Sequence, residues 1–228
     1  MSEKRHIVTI DGPSGVGKSS VSRIVAAELG YTYLDTGAMY RAVGLYFYSR
    51  DISIEDEKLI SQMLSDIHLE LLPASSVDSD VGVLLNGEDI SEQIRTPELS
   101  MVASKISALV SVRNFLTTMQ RKIAEKGKIV AEGRDMGTVV FPDAMYKFFL
   151  EASAEERCRR RVNQLMQKGV EVNAEETLQM IIKRDRDDSE RAVAPLKKAD
   201  DAYALDTTSR PLEEVCKAIL NVIGKTTR

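Results

Sequence analysis

The stretch Ile7-Val8-Thr9-Ile10-Asp11-Gly12-Pro13-Ser14-Gly15-Val16-Gly17-Lys18-Ser19-Ser20 decides how this chain folds. A short β-branched run is cut by Asp-Gly-Pro and followed by glycines. Val21, Ile24, Val25 and Leu29 then recur at helical spacing up to Gly30. Gly12 to Ser19 satisfy G-x-x-x-x-G-K-[ST] in full. Such glycines let the backbone curl so that consecutive N–H groups converge on a polyphosphate, and the helix that follows adds the positive end of its dipole. Lys18 supplies a point charge for the β- and γ-phosphates, and the Ser19 hydroxyl suits Mg²⁺ ligation. Strand before and helix after are the context this motif requires.

Outward from the loop the same texture repeats. Tyr31 to Leu34 reads as a second strand ending at Asp35-Thr36-Gly37, and Ala38 to Tyr48 as a helix. Lys128 to Glu132, Tyr146 to Leu150 and Tyr203 to Asp206 are further short apolar runs, as expected of parallel strands covered on both faces. A last helix is predicted from Leu212 to about Ile223. Between Ile67 and Ile90 the pattern changes to extended segments joined by Asn86-Gly87, a hairpin signal, so an antiparallel insertion is expected there. The sum is an α/β chain with a parallel sheet.

Composition narrows the function. The 228 residues carry 43% hydrophobic and 29% charged side chains, the balance of a globular protein with a core. Lys and Arg number 31 against 35 Asp and Glu, a net charge of −4, which argues against binding nucleic acid through phosphates. Two cysteines, Cys158 and Cys216, exclude a disulfide framework and a thiolate zinc cluster and fit a reducing compartment. With two histidines, His6 and His68, histidine acid/base machinery is nearly excluded. No apolar run approaches a membrane span and Met1 to His6 is polar, so neither a span nor a secretion signal is expected, and a cytoplasmic location is.

Three further constellations bear on chemistry. Arg157, Arg159, Arg160 and Arg161 follow the Tyr146–Leu150 strand, and on a helix Arg157, Arg160 and Arg161 share one face. They suit a mobile segment closing over a polyphosphate; the alternative is a solvated basic face. Arg184, Asp188 and Arg191 stand at i, i+4, i+7, which would project all three from one helical face. That face suits a phosphate and a sugar hydroxyl together; an exposed salt-bridge ladder is the alternative. Gly133-Arg134-Asp135 ends a predicted core strand, at the carboxyl edge where open parallel sheets bind ligands; a salt-bridged surface turn is the alternative.

The runs Asp11 to Ser20, Asp35-Thr36-Gly37-Ala38-Met39-Tyr40-Arg41, Glu132 to Ala144 and Arg191-Ala192-Val193-Ala194-Pro195-Leu196 resemble the bacterial cytidylate kinases, in that family's order. The resemblance implies the P-loop nucleoside monophosphate kinase fold: a five-stranded parallel sheet covered by helices, the 67–90 excursion as the small antiparallel insertion, and an arginine-rich lid. It implies one kinase domain over 1–228, a monophosphate-binding region over about 37–127 and a lid over about 154–191. It assigns ATP to Gly12, Pro13, Ser14, Gly15, Val16, Gly17, Lys18, Ser19 and Ser20. It assigns CMP to Thr36, Arg41, Ser104, Arg113, Arg134, Asp135, Arg184, Asp188 and Arg191. Lys18, Arg134, Arg191, Arg157 and Arg161 are its catalytic candidates. Position 36 is Thr where Ser also occurs, and position 132 is Glu where Asp is expected.

The implied reaction is in-line transfer from ATP to CMP or dCMP with Mg²⁺ on Ser19, by a monomer that engages neither nucleic acid nor membrane. The acceptor is already a phosphate dianion, so no general base is needed. The P-loop alone also fits a kinase for UMP, dTMP or a non-nucleotide alcohol, or a nucleotide sensor that signals to a partner.

Overall fold

The computed structural model describes residues 6–74, 76, 79–167 and 169–226; the polar segment 1–5 lies outside them. β1 (Ile7–Asp11) is the centre of a five-stranded parallel sheet. It is flanked by β6 (Ile129–Gly133) and β7 (Tyr146–Glu151), with β2 (Thr32–Asp35) and β8 (Tyr203–Asp206) at the edges, giving the order β2-β6-β1-β7-β8. The three central strands are buried nearly throughout, which is why they read as continuous apolar runs.

Alternation along β1 sends Val8 and Ile10 to one face and Ile7, Thr9 and Asp11 to the other. On the first face Val8, Ile10, Val130 and Phe148 form a core with α1 (Lys18–Leu29) and α8 (Leu212–Thr226). Phe148 is 1% exposed, and truncating such a ring to Ala costs about 3–5 kcal/mol. On the other face Leu34, Ile129 and Ala131 meet α2 (Thr36–Tyr48), α4 (Pro97–Ile106) and α5 (Val110–Ile123), with α3 (Glu57–Met63) outside them.

Local chemistry explains the boundaries. The Asp35 carboxylate accepts from the Ala38 amide at 2.8 Å and opens α2 two residues earlier than periodicity predicts. The insertion is a small antiparallel sheet of β3 (Leu69–Leu72), β4 (Gly82–Leu85) and β5 (Glu88–Asp89). Asn86 and Gly87 both have positive φ, 52° and 85°, the geometry of a type I′ turn. Asp80 ties the insertion to the body, pairing with Arg23 of α1 and with Arg95 at 2.6 Å.

After β7 the chain forms two helices packed on each other, α6 (Ala154–Gln167) and α7 (Ala174–Glu190). Here one expectation fails. Arg191 is not on the helix of Arg184 and Asp188: α7 ends at Glu190, and Arg191 is extended with ψ 140°. The Leu196 amide donates to the Asp188 carbonyl at 2.7 Å and turns the chain back across the helix end. Among the described residues no single helix is long and apolar enough to cross a membrane.

Candidate active site

The carboxyl ends of β1, β2 and β6 meet at one edge of the sheet, and most of the predicted site residues gather there. Gly12 follows β1 with φ 146°, and a Cβ at this position would overlap the Leu150 carbonyl of β7. Only glycine lets the loop turn so close to the neighbouring strand. Lys18 is buried, and its ammonium folds over the loop to donate to the Pro13 carbonyl at 2.7 Å. Burial and the nearby Arg134 and Arg184 guanidinia push it below the usual lysine range, against the pull of Glu132 and Asp11.

Glu132, the penultimate residue of β6, is buried beside the loop. It accepts from the Tyr33 hydroxyl and interacts with Ser19. Burial and the Asp35 carboxylate push it above the usual range, and Lys18, Tyr33 and Ser19 oppose them. Asp35 at the end of β2 also holds Arg41 at 3.4 Å, while the Thr36 hydroxyl donates to the Glu132 carbonyl at 2.6 Å. The longer Glu at position 132 is therefore accommodated by the tyrosine of the adjacent strand.

The loop after β6 carries the densest charge. Asp135 is buried and pairs with Arg113 of α5; Arg191 stands 3.7 Å from its other oxygen. Burial raises Asp135 despite Arg113, Arg191 and Arg134 around it. Arg113 also donates to the Ser107 carbonyl at 3.1 Å, and Arg191 to the Ser107 hydroxyl at 3.1 Å and the Ala194 carbonyl at 2.6 Å. Tyr40 lies under the Arg113 guanidinium, and burial raises its phenol to about 12. Arg134 donates from Nε to Asp188 at 2.8 Å. Arg184 is brought down to about 10 by burial and then by Arg134 and the more distant Arg41 and Arg161.

Six cations, Lys18, Arg41, Arg113, Arg134, Arg184 and Arg191, thus gather at this edge of the sheet. Among their buried nitrogens Arg41 Nε, Arg184 Nε and Arg191 Nη2 have no hydrogen-bond partner. Such donors suit a phosphate. Ser104 sits half-buried on α4, the element that carries Ser107 at its C-terminal end.

The arginine-rich helix divides its residues. Arg157 is buried and seated at the loop rim. It forks onto Asp185 of α7 at 3.0 and 2.6 Å and donates to the Ser14 carbonyl at 3.2 Å. Arg160 turns toward the segment after β8, donating to Glu156 at 2.8 Å, the Thr207 carbonyl at 2.5 Å and the Val16 carbonyl of the P-loop at 3.5 Å. Arg161 donates to Gln164 on its own helix at 3.0 Å and lies close enough to Arg184 to depress it. A cleft of about 470 Å³, lined by Val16, Gly17, Arg159, Arg160, Thr207 and Arg210 among others, opens beside the P-loop.

The sequence profile of the family described as Cytidylate kinase matches residues 8–225. The chain belongs to the cytidylate kinase family. It is 50% identical over 218 residues to a cytidylate kinase of Carboxydothermus hydrogenoformans, covering 96% of this chain and 97% of that one. It is 49% identical over 216 residues to a cytidylate kinase of Thermosipho melanesiensis, covering 95% of each. A solved structure of an uncharacterised Eubacterium ventriosum protein superposes with TM-score 0.52 at 13% identity, covering 97% of this chain and 99% of that one; it shares the fold.

Within this kinase-family chain three contributors were not legible from sequence: Asp11, Tyr33 and Thr207. Asp11 carried a usable signal, as the one acidic residue of an otherwise apolar and β-branched strand. The Thr207 hydroxyl donates to the Val16 carbonyl at 3.1 Å and joins the segment after β8 to the P-loop. It follows a strand that composition alone marks as structural.

Proposed function

We propose that the protein transfers the γ-phosphoryl group of ATP to CMP, and to dCMP, giving ADP and the diphosphate. The observation that carries this reading is the pairing of a phosphate-binding loop with a crevice of buried, incompletely bonded guanidinium groups at the same sheet edge. The P-loop amides from Gly12 to Ser20 and Lys18 hold the donor. Its base lies in the cleft between Gly17, Arg160 and Thr207. Arg41, Arg134 and Arg191 hold the acceptor phosphate, and Asp188 and Arg184 its sugar. Asp135, with Arg113 and Ser104, meets the base, and Thr36 stands at its edge.

A phosphate oxygen of the acceptor attacks phosphorus as the bond to the ADP oxygen breaks, so the protein supplies alignment and positive charge rather than a base. Arg157 is seated at the loop rim, and Arg161 swings inward as α6 and α7 close and exclude water. Residues 154–191 then serve as the lid and about 37–127 as the acceptor region of one domain. Ser19 fits Mg²⁺, with the Glu132 carboxylate next to it. Among the described residues no cluster of three His, Cys, Asp or Glu could hold a metal alone, which suits an ion carried chiefly by the nucleotide phosphates. When bound, the ion neutralises charge on the β- and γ-oxygens.

The chain acts as a monomer in a reducing cytoplasm, in keeping with its two buried free thiols, and without nucleic acid or membrane. Coupled ADP release with a panel of CMP, dCMP, UMP, dTMP and simple alcohols tests this. Turnover that depends on CMP and dCMP supports it. ADP release independent of any acceptor would mark a sensor, and preference for another acceptor would reassign the substrate.

A further inference from the structure

Asp11 is buried, acidic and unused by the chemistry above. It is the last residue of β1, where Asp11 and Gly133 are the final register partners of β1 and β6. Beyond that point no ladder joins the two strands. The Asp11 side chain continues the connection: Oδ1 accepts from the Met136 amide at 2.9 Å and Oδ2 from the Gly137 amide at 2.7 Å. These amides open a single π-turn, Met136–Val140, immediately after Asp135. The first N–H groups of such a turn have no partner within it, so a carboxylate from another strand caps it. The Asp135 carbonyl in turn accepts from the Val139 and Val140 amides at 2.9 and 3.1 Å. Arg134 and Asp135 are therefore held from below by the residue that precedes Gly12, the first glycine of the P-loop.

We propose that Asp11 is a positioning residue that keeps the Arg134–Asp135 acceptor groups in register with the donor loop. A buried carboxylate is a costly way to cap a turn. Burial, with the nearby Asp135 carboxylate, drives Asp11 up to about 7, against the Gly137 and Met136 amides and Lys18, which pull it down. In-line transfer depends on the separation of two phosphates held by two different loops, and a displacement of about 1 Å can cost about a hundredfold in rate. One side chain bridging both loops fixes that separation.

The inference rests on the acceptor role proposed for Arg134 and Asp135, so wild-type turnover with CMP is measured first. Its absence would overturn the role before any variant is compared. Asp11→Asn keeps the shape but leaves only one oxygen for two amides. It is expected to lower kcat/KM for CMP about ten- to a hundredfold. The Kd for ATP, measured without acceptor, stays within about twofold.

Gly137→Ala attacks the same contact from the other side. Its Cβ would lie 3.0 Å from Thr9 Oγ1 and 3.2 Å from Lys147 Cδ, crowding the turn away from its seat on Asp11 Oδ2, 3.4 Å away. It should show the same split, and the double variant should be no worse than the poorer single one. Unchanged CMP parameters in either folded variant, or equal losses of ATP and CMP binding, would overturn the proposal. Amide exchange on the wild type needs no variant: Met136 and Gly137 should be protected as well as the amides of β1 and β6. Exchange at loop rates would defeat the inference.

Discussion

Asp188 accepts the Nε–H of Arg134 at 2.8 Å, from the far side of the crevice, rather than pairing with Arg184 one turn away. The contact joins α7 to the loop after β6, 54 residues earlier in the chain. Burial works against the carboxylate, but Arg134, Arg184 and Arg191 outweigh it and hold Asp188 below the usual range. The spacing that suggests a surface ladder instead delivers one member to the interior.

Asp188→Ala leaves Arg134 without its partner in a largely buried site. We expect kcat/KM for CMP to fall about ten- to a hundredfold, with the KM for ATP little changed. Steady-state kinetics with each substrate varied separately checks this. Unchanged CMP kinetics would reduce the pair to a brace between α7 and the loop.

In the proposed reaction Lys18 stands where charge builds between donor and acceptor. Lys18→Ala should lower kcat by at least about a hundredfold, roughly 2.7 kcal/mol, while unfolding remains cooperative. A folded variant with wild-type kcat would remove the P-loop ammonium from the mechanism.

Base choice tests the Arg113–Asp135 pair. Cytosine and uracil differ at the exocyclic group and at N3. A buried polar group left unmatched by UMP costs about 1–3 kcal/mol, so kcat/KM should favour CMP about ten- to a hundredfold. Arg113→Met should shrink that ratio by freeing Asp135. A wild-type ratio near one would dissociate this pair from base recognition.

Asp11 predicts a pH dependence of stability. Its folded value of about 7 lies above the ordinary 3.8. Between those values the folded protein holds a proton that the unfolded chain has released. The Asp11 contribution to stability is therefore fully present below about pH 4, falls as pH rises towards 7, and is constant above that. Relative to Asp11→Asn, the wild type should lose about 3 kcal/mol between pH 5 and pH 8. Urea unfolding of both proteins at the two pH values measures it. A difference independent of pH would place Asp11 in water or in a stronger ion pair.

What sequence revealed and withheld follows from range. The P-loop, the strands and the Asn86–Gly87 turn were legible because each is specified by neighbours within a few residues. The gathering of Arg41, Arg113, Arg134 and Arg191 was legible only through the family's motifs; nothing local says that α5 faces the loop after β6. Arg191 was misplaced because helical spacing runs past Glu190 unbroken, whereas the stop is set by Leu196 folding back and by Ala194 at φ 49°. The π-turn at Met136–Val140 has no sequence period, and the Arg157–Asp185 fork joins two helices through their packing. Both depend on tertiary context.

The position of β1 at the centre of the sheet has a consequence for how the protein is made. Its partners begin at Ile129 and Tyr146, so β1 leaves the ribosome with no strand to pair with until more than a hundred further residues exist. During that interval Ile7-Val8-Thr9-Ile10 is an uncharged, β-branched edge, the kind of segment that adds to another chain. Loop closure over such a distance is also slow. The nascent chain is therefore most exposed to aggregation before β6 emerges. A chaperone that masks β1 during synthesis should raise the yield of active protein more than one supplied after release.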